Sequence, residues 1–230
     1  MAARSGTLPA DSVRAMFDRI AGVYDVMNTV MTAGLHHRWR ERAVDLARVG
    51  PGASALDVAT GTGDLAIKLA RRGASVVGSD FSEGMLERAR AKSRAVRWEQ
   101  ANALALPYDD NSFDAATVGF GARNFSDLGR GLAEMARVVR PGGRVVVLEI
   151  TTPTKPPLST FFAFWFDRIV PLLGRVTGEN QAYSYLPSSV KRFPAPRELG
   201  AMMAGTGLTD VRWILTAGGI IALHSGTVAQ

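Results

Sequence analysis

Acidic and glycine residues between positions 53 and 80 are spaced to bind a nucleoside-containing ligand. Asp57 lies inside an apolar run, the turn Gly61-Thr62-Gly63 follows it, and Asp80 ends a second apolar run. Glycine at a turn from strand to helix lets a ligand approach the backbone closely. A carboxylate about 20 residues further on can accept hydrogen bonds from two ribose hydroxyls. The spacing therefore predicts a site for an adenosine-containing ligand.

Two ligands compete for this site. Residues 61–66 satisfy the pattern G-x-G-x-x-G/A, which permits NAD. Asp57 precedes this turn from inside the first strand, where a carboxylate disfavours a pyrophosphate and suits a ligand with an ammonium and a sulfonium group. S-adenosylmethionine has both groups. The acidic residue therefore favours S-adenosylmethionine, and NAD remains the alternative.

The strands and helices that position these residues are predicted to form a parallel sheet. Apolar runs of strand length alternate with helical periodicity up to Ile150, and a Gly218-Gly219 turn joins two last strands in a hairpin. A helix is predicted over residues 128–139, followed by a turn at residues 140–143. We expect an α/β, Rossmann-like fold: a mostly parallel, seven-stranded sheet with one antiparallel strand and helices on both faces.

The remaining segments predict one domain over residues 1–230. Residues 9–49 read as helices, either a cap over the pocket or a supporting layer, and residues 151–195 form an insertion over the pocket. Asn102 follows the third predicted strand as Asp80 follows the second. Ligands lie beyond the carboxyl ends of strands in such sheets, so Asn102 is predicted to read an adenine edge.

Composition narrows the classes of function. The chain has 230 residues, 47% of them hydrophobic, no Cys and three His, so disulfides and thiolate metal sites are excluded and no metal site is expected. Its formal charge of +6 permits nucleic acid or an anionic membrane as partner, but the basic residues are scattered, and we expect no nucleic-acid partner. The sequence offers no signal peptide and no membrane span, which predicts a cytoplasmic protein.

Six motifs stand out along the sequence. They are Phe17-Asp18-x-Ile20-Ala21-x-x-Tyr24-Asp25, Leu56-Asp57-Val58-Ala59-x-Gly61-Thr62-Gly63-Asp64, Asn102-Ala103-x-Ala105-Leu106-Pro107, Phe120-Gly121-x-Arg123-Asn124, Pro141-Gly142-Gly143 and Leu215-Thr216-x-Gly218-Gly219-x-x-Ala222-Leu223-His224. Together they resemble the UbiE/MenG family, the C-methyltransferases of ubiquinone and menaquinone synthesis within the class I S-adenosylmethionine-dependent methyltransferases. The resemblance runs from about Met16 to Gly226.

The resemblance implies contacts to S-adenosylmethionine at Thr62, Asp80, Asn102 and Ala103. The full set of expected cofactor contacts is Asp57, Gly61, Thr62, Gly63, Asp80, Phe81, Asn102, Ala103 and Gly119. Gly119 stands where the family commonly has Ser, and residues 186–190 depart from the usual Leu-Ala-Glu-Ser-Ile. The implied substrate is a prenylated demethylmenaquinol-type quinol; a ubiquinone precursor or a secondary metabolite is the alternative.

Methylation of a quinol ring carbon requires a phenolate, which a cation can stabilise. Arg123 is the first candidate for this role, and Asn124 for positioning the water that takes the proton. Tyr183 is a further candidate, with Tyr185 and His224 behind it. An ordinary salt bridge is the alternative for Arg123, and a structural role for His224.

An aromatic segment over residues 161–166 fits the isoprenoid tail of such a substrate. With Lys155 and Arg168 nearby, it predicts peripheral contact with the inner face of the membrane; a buried lid helix or a homodimer contact is the alternative. Two rival functions stay open: an RNA methyltransferase, prompted by the charge, and a non-catalytic module that binds the cofactor or a nucleotide.

Overall fold

The computed structural model describes residues 9–22, 24–170 and 180–230, without the side chains of residues 10 and 180–184. Three helices come first: α1 (Ala10–Ile20), α2 (Tyr24–Thr32) and α3 (His36–Ala47). Strands and helices then alternate: β1 (Ser54–Val58), α4 (Asp64–Arg71), β2 (Ser75–Asp80), α5 (Glu83–Lys92), β3 (Arg97–Gln100), β4 (Phe113–Gly119), α6 (Leu128–Arg137) and β5 (Val139–Ile150). The last part holds α7 (Leu158–Phe164), a π-helical turn (Trp165–Ile169), α8 (Asn180–Arg192), α9 (Pro196–Gly205), β6 (Leu208–Thr216) and β7 (Ile221–Val228).

The seven strands form one sheet in the order β3-β2-β1-β4-β5-β7-β6. The pairs among β1 to β5 are parallel, whereas β7 runs antiparallel to both of its neighbours. Helices cover both faces of the sheet. The predicted fold class, mostly parallel with one antiparallel strand, is confirmed.

Alternating side chains of the central strand β5 feed two hydrophobic cores. Val145 and Val147 pack with α6 and α9, through residues such as Leu132 and Met203. Val146 and Leu148 pack on the other face with α3 and α4, through Val44, Leu65 and Leu69. Successive strand residues point to opposite faces, so a strand buried on both sides reads as the continuous apolar run seen in the sequence.

The predicted boundary between α6 and β5 is wrong by a few residues. The helix ends at Arg137, and β5 begins at Val139 rather than after the glycines. Phe113 pairs with Val139 and Ala115 with Arg144, so the predicted turn is a bulge inside the strand. Gly142 has φ +79°, which lets the bulge form without strain on a side chain.

The first three helices pack in two different places. Helix α3 packs on the sheet through Ala43, Val44 and Ala47. Helix α1 instead forms a small separate core with α5 and α8, in which Met16 contacts residues such as Met85 and Tyr185. Helices α1 and α2 thus cover the carboxyl ends of the strands, and α3 supports the sheet.

Candidate active site

The carboxyl ends of β1, β2 and β4 border a cavity that we call the strand-end cavity. All predicted cofactor contacts except Gly63 line it: Asp57, Gly61, Thr62, Asp80, Phe81, Asn102, Ala103 and Gly119. Parallel strands bring their carboxyl ends to one edge of the sheet, which is why residues far apart in sequence meet here.

The two glycines of the turn, Gly61 and Gly63, have different roles. Gly61 has φ +57° and its N–H donates to Asp80 Oδ2 at 2.8 Å, so the turn is joined to the end of β2. Gly63 has φ +85°, and a Cβ there would lie 2.3 Å from the Trp98 ring. Gly63 therefore shapes the turn and packs against the indole, while Gly61 borders the cavity.

Asp57 is a buried carboxylate held by two threonines. Asp57 is only 1% exposed. Thr117 Oγ1 donates to its Oδ1 at 2.6 Å, and Thr60 Oγ1 donates to its Oδ2 at 2.5 Å. Burial raises the pKa of Asp57 to about 6, although the two hydroxyls and the charge of Arg40 oppose the rise. A cationic ligand in the cavity would favour the charged form.

Asp80 is similarly buried and ends β2. The backbone N–H of Ser82 donates to its Oδ1 at 2.9 Å, and Gly61 donates to the other oxygen. Burial raises the pKa of Asp80 to about 6 against these backbone hydrogen bonds. Each carboxylate oxygen has a second lone pair. Asp80 can therefore still accept hydrogen bonds from ribose hydroxyls.

A cluster of charges joins the glycine turn to the cap. Thr62 Oγ1 donates to Asp25 Oδ1 at 2.6 Å and accepts from Lys92 Nζ at 2.9 Å. Lys92 also contacts Asp25 Oδ2 at 2.6 Å and Asp64 Oδ1 at 2.8 Å. Sequence reasoning missed Lys92, because it lies at the end of α5 and no local pattern links it to residues 25 and 62.

Asn102 both shapes a turn and lines the strand-end cavity. Its Oδ1 accepts from the backbone N–H of Leu104 at 2.9 Å. Since the side-chain oxygen is used in this way, the amide nitrogen is the atom that remains to read an adenine edge.

A second, apolar cavity of about 450 Å³ adjoins the first. We call it the apolar cavity. Four residues line both: Phe17, Tyr24, Arg40 and Phe120. Its other walls come from α2 and α3 and from the insertion, including Trp39, Phe162, Phe166, Tyr185 and Leu186. The described part of the insertion thus forms part of the wall of the apolar cavity.

Arg123 lines the apolar cavity and Asn124 lines the strand-end cavity. Arg123 Nη1 donates to Glu149 Oε1 at 2.7 Å and to the carbonyl of Phe120; the two charged side chains are 8% and 1% exposed. Burial lowers the pKa of Arg123 and Glu149 raises it, with a net rise, so the guanidinium stays charged. The salt bridge foreseen as the alternative is present.

Two polar atoms at this point are left without partners. Arg123 Nε and Asn124 Oδ1 are buried and make no hydrogen bond within the described residues. Buried polar atoms are normally satisfied, and exceptions in a cavity wall mark places where a ligand or water is bound.

The other catalytic candidates have different positions. Tyr183 belongs to α8, but its side chain lies outside the described residues. Tyr185 is buried in the apolar cavity. His224 lines neither cavity: its Nε2 donates to the Pro196 carbonyl at 2.8 Å and its ring stacks on Trp213. These two contacts fix the ring between β6 and the start of α9.

Strained backbone also borders the site. Ala59 and Phe120, which directly follow β1 and β4, have φ of +49° and +64°. A left-handed conformation is unfavourable for residues with a side chain and clusters at functional sites. Nothing in the sequence indicates it, because neither residue type prefers this conformation.

Comparisons with known proteins agree with this geometry. Residues 6–228 match the ubiE/COQ5 methyltransferase family. The chain is 48% identical to the demethylmenaquinone methyltransferase of Thermus thermophilus, covering 92% of this chain and 99% of that protein. It is 45% identical to the Deinococcus radiodurans protein of the same name, covering 90% and 89%. It is 39% identical to the ubiquinone/menaquinone biosynthesis C-methyltransferase UbiE of Geobacter sulfurreducens, covering 96% and 90%.

Solved structures agree at the level of the fold. The [4+2]-cyclase SpnF superposes with a TM-score of 0.72 at 18% identity, covering 97% of this chain and 98% of that one. A chain of the complex between the Haloferax volcanii Trm112 methyltransferase activator and a methyltransferase gives 0.68 at 17% identity, covering 93% and 98%. The match over nearly the whole sequence shows that this chain belongs to the ubiE/COQ5 methyltransferase family.

Proposed function

We propose that this protein is an S-adenosylmethionine-dependent C-methyltransferase that converts a prenylated demethylmenaquinol to menaquinol. One observation carries the proposal: a cavity at the strand ends with two buried carboxylates, Asp57 and Asp80, adjoins an apolar cavity with a buried cation, Arg123, in its wall. The relatives named demethylmenaquinone methyltransferase, at 48% and 45% identity, support the substrate.

The strand-end cavity has the groups that S-adenosylmethionine requires. Asp80 suits the ribose hydroxyls, Asp57 the ammonium group, and the bare backbone at Gly61 the close approach of the ligand. Phe81 and Asn102 line the part of the cavity assigned to adenine. Bound there, the cofactor supplies an electrophilic methyl group on a sulfonium.

Arg123 has the charge and position to stabilise a phenolate in the apolar cavity. A quinol ring carbon is a weak nucleophile until an adjacent hydroxyl loses its proton. A water held by Asn124 Oδ1, which has no partner among the described residues, would take the hydroxyl proton. The new carbon–carbon bond would form as the sulfur–methyl bond breaks; the hydrogen on that ring carbon would then leave as a proton and the oxygen regain one, so that one proton is released overall. Arg123 remains protonated and takes neither proton.

The reaction itself is the first test. Purified protein should transfer a labelled methyl group from S-adenosylmethionine to demethylmenaquinol, and mass spectrometry should place it on the ring carbon. A ubiquinone precursor is the second substrate to assay, because the Geobacter sulfurreducens relative is named for both quinones. Absence of transfer to either quinol, with cofactor bound, would overturn the proposed substrate class.

Substitution of Arg123 tests its role. Arg123→Met alone leaves Glu149 buried and unpaired, which destabilises proteins strongly. The variant to compare with wild type is therefore Arg123→Met/Glu149→Gln, with Arg97→Met, a mostly exposed arginine, as the control. We expect at least a 100-fold lower kcat with unchanged cofactor affinity. A loss below tenfold in a folded double variant contradicts the role.

Five exposed apolar side chains lie on, or next to, helices α2, α3 and α7, which contribute walls of the apolar cavity. This apolar rim consists of Val26, Val30, Leu35, Phe161 and Phe164, which are 66%, 69%, 43%, 55% and 57% exposed. Three of them, Val30, Leu35 and Phe161, also line the cavity. No helix in the described ranges is long and apolar enough to cross a membrane.

The rim supports contact with a lipid surface, because a prenyl tail that leaves a bilayer would pass from one apolar environment directly into another. Val30→Glu should reduce co-sedimentation with anionic vesicles, whereas Leu215→Glu, on strand β6, 51% exposed and not part of the cavity lining, should not. Light scattering tests the alternative, in which a second copy of the chain binds at the rim. That contact would give a dimer, which Val30→Glu should dissociate.

A further inference from the structure

A wide groove lies at the opposite end of the sheet from the two cavities. It has a volume of about 990 Å³ and is bordered by the last residues of α3, by the bulge in β5 and by β6 and β7. Arg144 lines it on β5, whereas Ile150, the last residue of that strand, lines the apolar cavity. The two positions are six residues, or about 20 Å, apart. We call it the arginine groove, after the four arginines in its walls: Arg48, Arg140, Arg144 and Arg212.

Arg144 is held in the groove by neutral groups. Its Nη1 donates to Thr227 Oγ1 at 2.6 Å, its Nη2 to Ser225 Oγ at 3.1 Å and its Nε to the Leu46 carbonyl at 3.4 Å. No carboxylate in the described ranges lies close enough to form an ion pair with it. These contacts use three of the five N–H donors of a guanidinium. They fix its direction, leave two donors over and do not neutralise its charge.

The two hydroxyls beside Arg144 have hydrogen atoms to donate. Ser225 Oγ and Thr227 Oγ1 both accept from the guanidinium, and neither hydroxyl donates to any residue that the structure describes. The hydrogen of a hydroxyl rotates to suit its partner. The groove therefore presents a guanidinium and two hydroxyl donors side by side, which suits the oxygens of an anion.

Two further arginines add like charge to this group. Arg48 and Arg212 are exposed, line the groove and make no ion pair or hydrogen bond through their side chains within the described part of the chain. Burial lowers the pKa of Arg144, and the charges of Arg48 and Arg212 lower it further. Asp210 opposes this fall without cancelling it. The three arginines thus repel one another across the groove, and a bound anion would offset that repulsion.

Carboxylates of the groove do not balance these charges. Asp114 is already used, because its Oδ2 accepts from the backbone N–H of Ser54 at 2.7 Å and its Oδ1 contacts the guanidinium of Arg140. Asp210, which is exposed, is the other carboxylate in the lining. Against the three remaining arginines it leaves two net positive charges. A phosphate monoester carries a charge of about −2 and matches this excess.

We propose that the arginine groove binds the phosphate group of an anionic ligand, with Arg144 and its two hydroxyls in contact with the phosphate oxygens and Arg48 and Arg212 as flanking charges. Guanidinium and phosphate match in geometry as well as in charge. The groove lies too far from the apolar cavity for this ligand to be a reactant there, so the inference stands independently of the proposed function. Two sources supply such a group: a soluble phosphate compound and the headgroup of an anionic lipid.

Titration calorimetry with inorganic pyrophosphate tests the site on the whole protein. Wild type should bind it at one site, and Arg144→Met should weaken the binding about tenfold, the size expected of hydrogen bonds to a charged group. Arg212→Met should weaken it by a smaller factor. Arg42→Met is the matched control: it removes an exposed arginine of α3 that does not line the groove, and it should change nothing. All three variants should bind S-adenosylmethionine as wild type does.

Vesicles of phosphatidylglycerol distinguish the two sources. If pyrophosphate competes with these vesicles and Arg144→Met binds them less than Arg42→Met does, the phosphate is that of a lipid headgroup. If Arg144→Met loses pyrophosphate but binds vesicles as wild type does, the ligand is soluble.

The proposal is overturned if wild type binds no pyrophosphate and Arg144→Met leaves vesicle binding unchanged. Equal losses in Arg144→Met and Arg42→Met would also overturn it, since they would show attraction by the overall charge alone. If Arg144→Met does not fold, the exposed Arg212→Met carries the same comparison with Arg42→Met.

Discussion

At the scale of single residues, Asp57 is one of two buried carboxyls in the strand-end cavity whose pKa is raised to about 6. Burial raises its pKa to about 6, so below that pH the carboxyl of the free protein is protonated. An ammonium group requires the charged form, and binding then has to release a proton. Affinity for S-adenosylmethionine should therefore rise between pH 5 and about pH 6, by up to tenfold per unit, and level off by pH 7.

Calorimetry at pH 5, 6 and 7 measures this dependence. Asp57→Asn should weaken binding at pH 7 and flatten the profile. Some slope should remain, because burial also raises the pKa of Asp80 to about 6. A wild-type affinity that does not change from pH 5 to pH 7 would show that neither carboxyl titrates with the ligand.

Gly63 and Gly142 offer a matched pair for separating backbone strain from a clash. Their φ values are similar, +85° and +79°, but a Cβ at Gly63 would lie 2.3 Å from Trp98, whereas one at Gly142 meets nothing within 4 Å. Trp98 cannot move aside easily, since its Nε1 donates to the Ser93 carbonyl at 2.9 Å. Gly63→Ala should lower the free energy of unfolding by about 2–4 kcal/mol, and Gly142→Ala by about 1. Denaturant titration of both variants gives the two values; equal losses would contradict the packing role.

The sequence predicts polar residues at the strand ends because the fold brings those ends together. Asp80, which ends β2, and Asn102, which follows β3, were predicted in this way, and Asp57 was predicted from its place inside β1 before the glycine turn. Arg40, Lys92 and Glu149 were not, because their partners lie in other elements and the contacts depend on packing that no local pattern encodes. Arg123 was predicted from its motif, but no sequence pattern indicated that Glu149 would be its buried partner.

At the scale of elements, Lys92 connects the cap to the glycine turn. Its ammonium contacts Asp25 in α2, Asp64 in α4 and Thr62 between β1 and α4, all within 2.9 Å. Lys92→Met should loosen α2, seen as faster hydrogen exchange over residues 24–32. The loss in stability should be only about 1 kcal/mol, because partly exposed ion pairs contribute little.

Arg90→Met is the control for this prediction. Arg90 lies on the same helix, and its partner Glu83 is exposed and belongs to that helix as well. Exchange in α2 should be unchanged in this variant. Equal acceleration in the two variants would show that α2 is held by general packing and not by the lysine.

Elements were predictable where one physical signal was dominant. Buried parallel strands have continuous apolar runs, and Ser82 accepts from the Met85 N–H as the predicted N-cap of α5. The glycines after α6 were predicted to be a turn, since Pro-Gly-Gly ends helices in general. Here they form a bulge in β5, because the pairing of Phe113 with Val139 continues the strand beyond them. That pairing is a tertiary contact, which the local signal does not contain.

At the scale of the whole molecule, two features favour binding to a lipid surface, and their contributions depend differently on salt concentration. One is the formal net charge of +6, and the other is the apolar rim. Attraction between exposed charges is screened over about 10 Å at 0.1 M salt and about 3 Å at 1 M, whereas burial of apolar side chains is not weakened by salt.

Binding to anionic vesicles should therefore fall between 0.1 M and 1 M NaCl but not disappear. The fraction that remains at 1 M should equal the binding to neutral vesicles, which have no charge to attract the protein. Phe161→Glu, in the rim, should abolish this fraction, and Leu215→Glu should leave it intact, since the two residues have similar exposure, 55% and 51%. Complete loss of wild-type binding at 1 M salt would assign the contact to charge alone and exclude the rim as the entrance for a membrane-borne quinol.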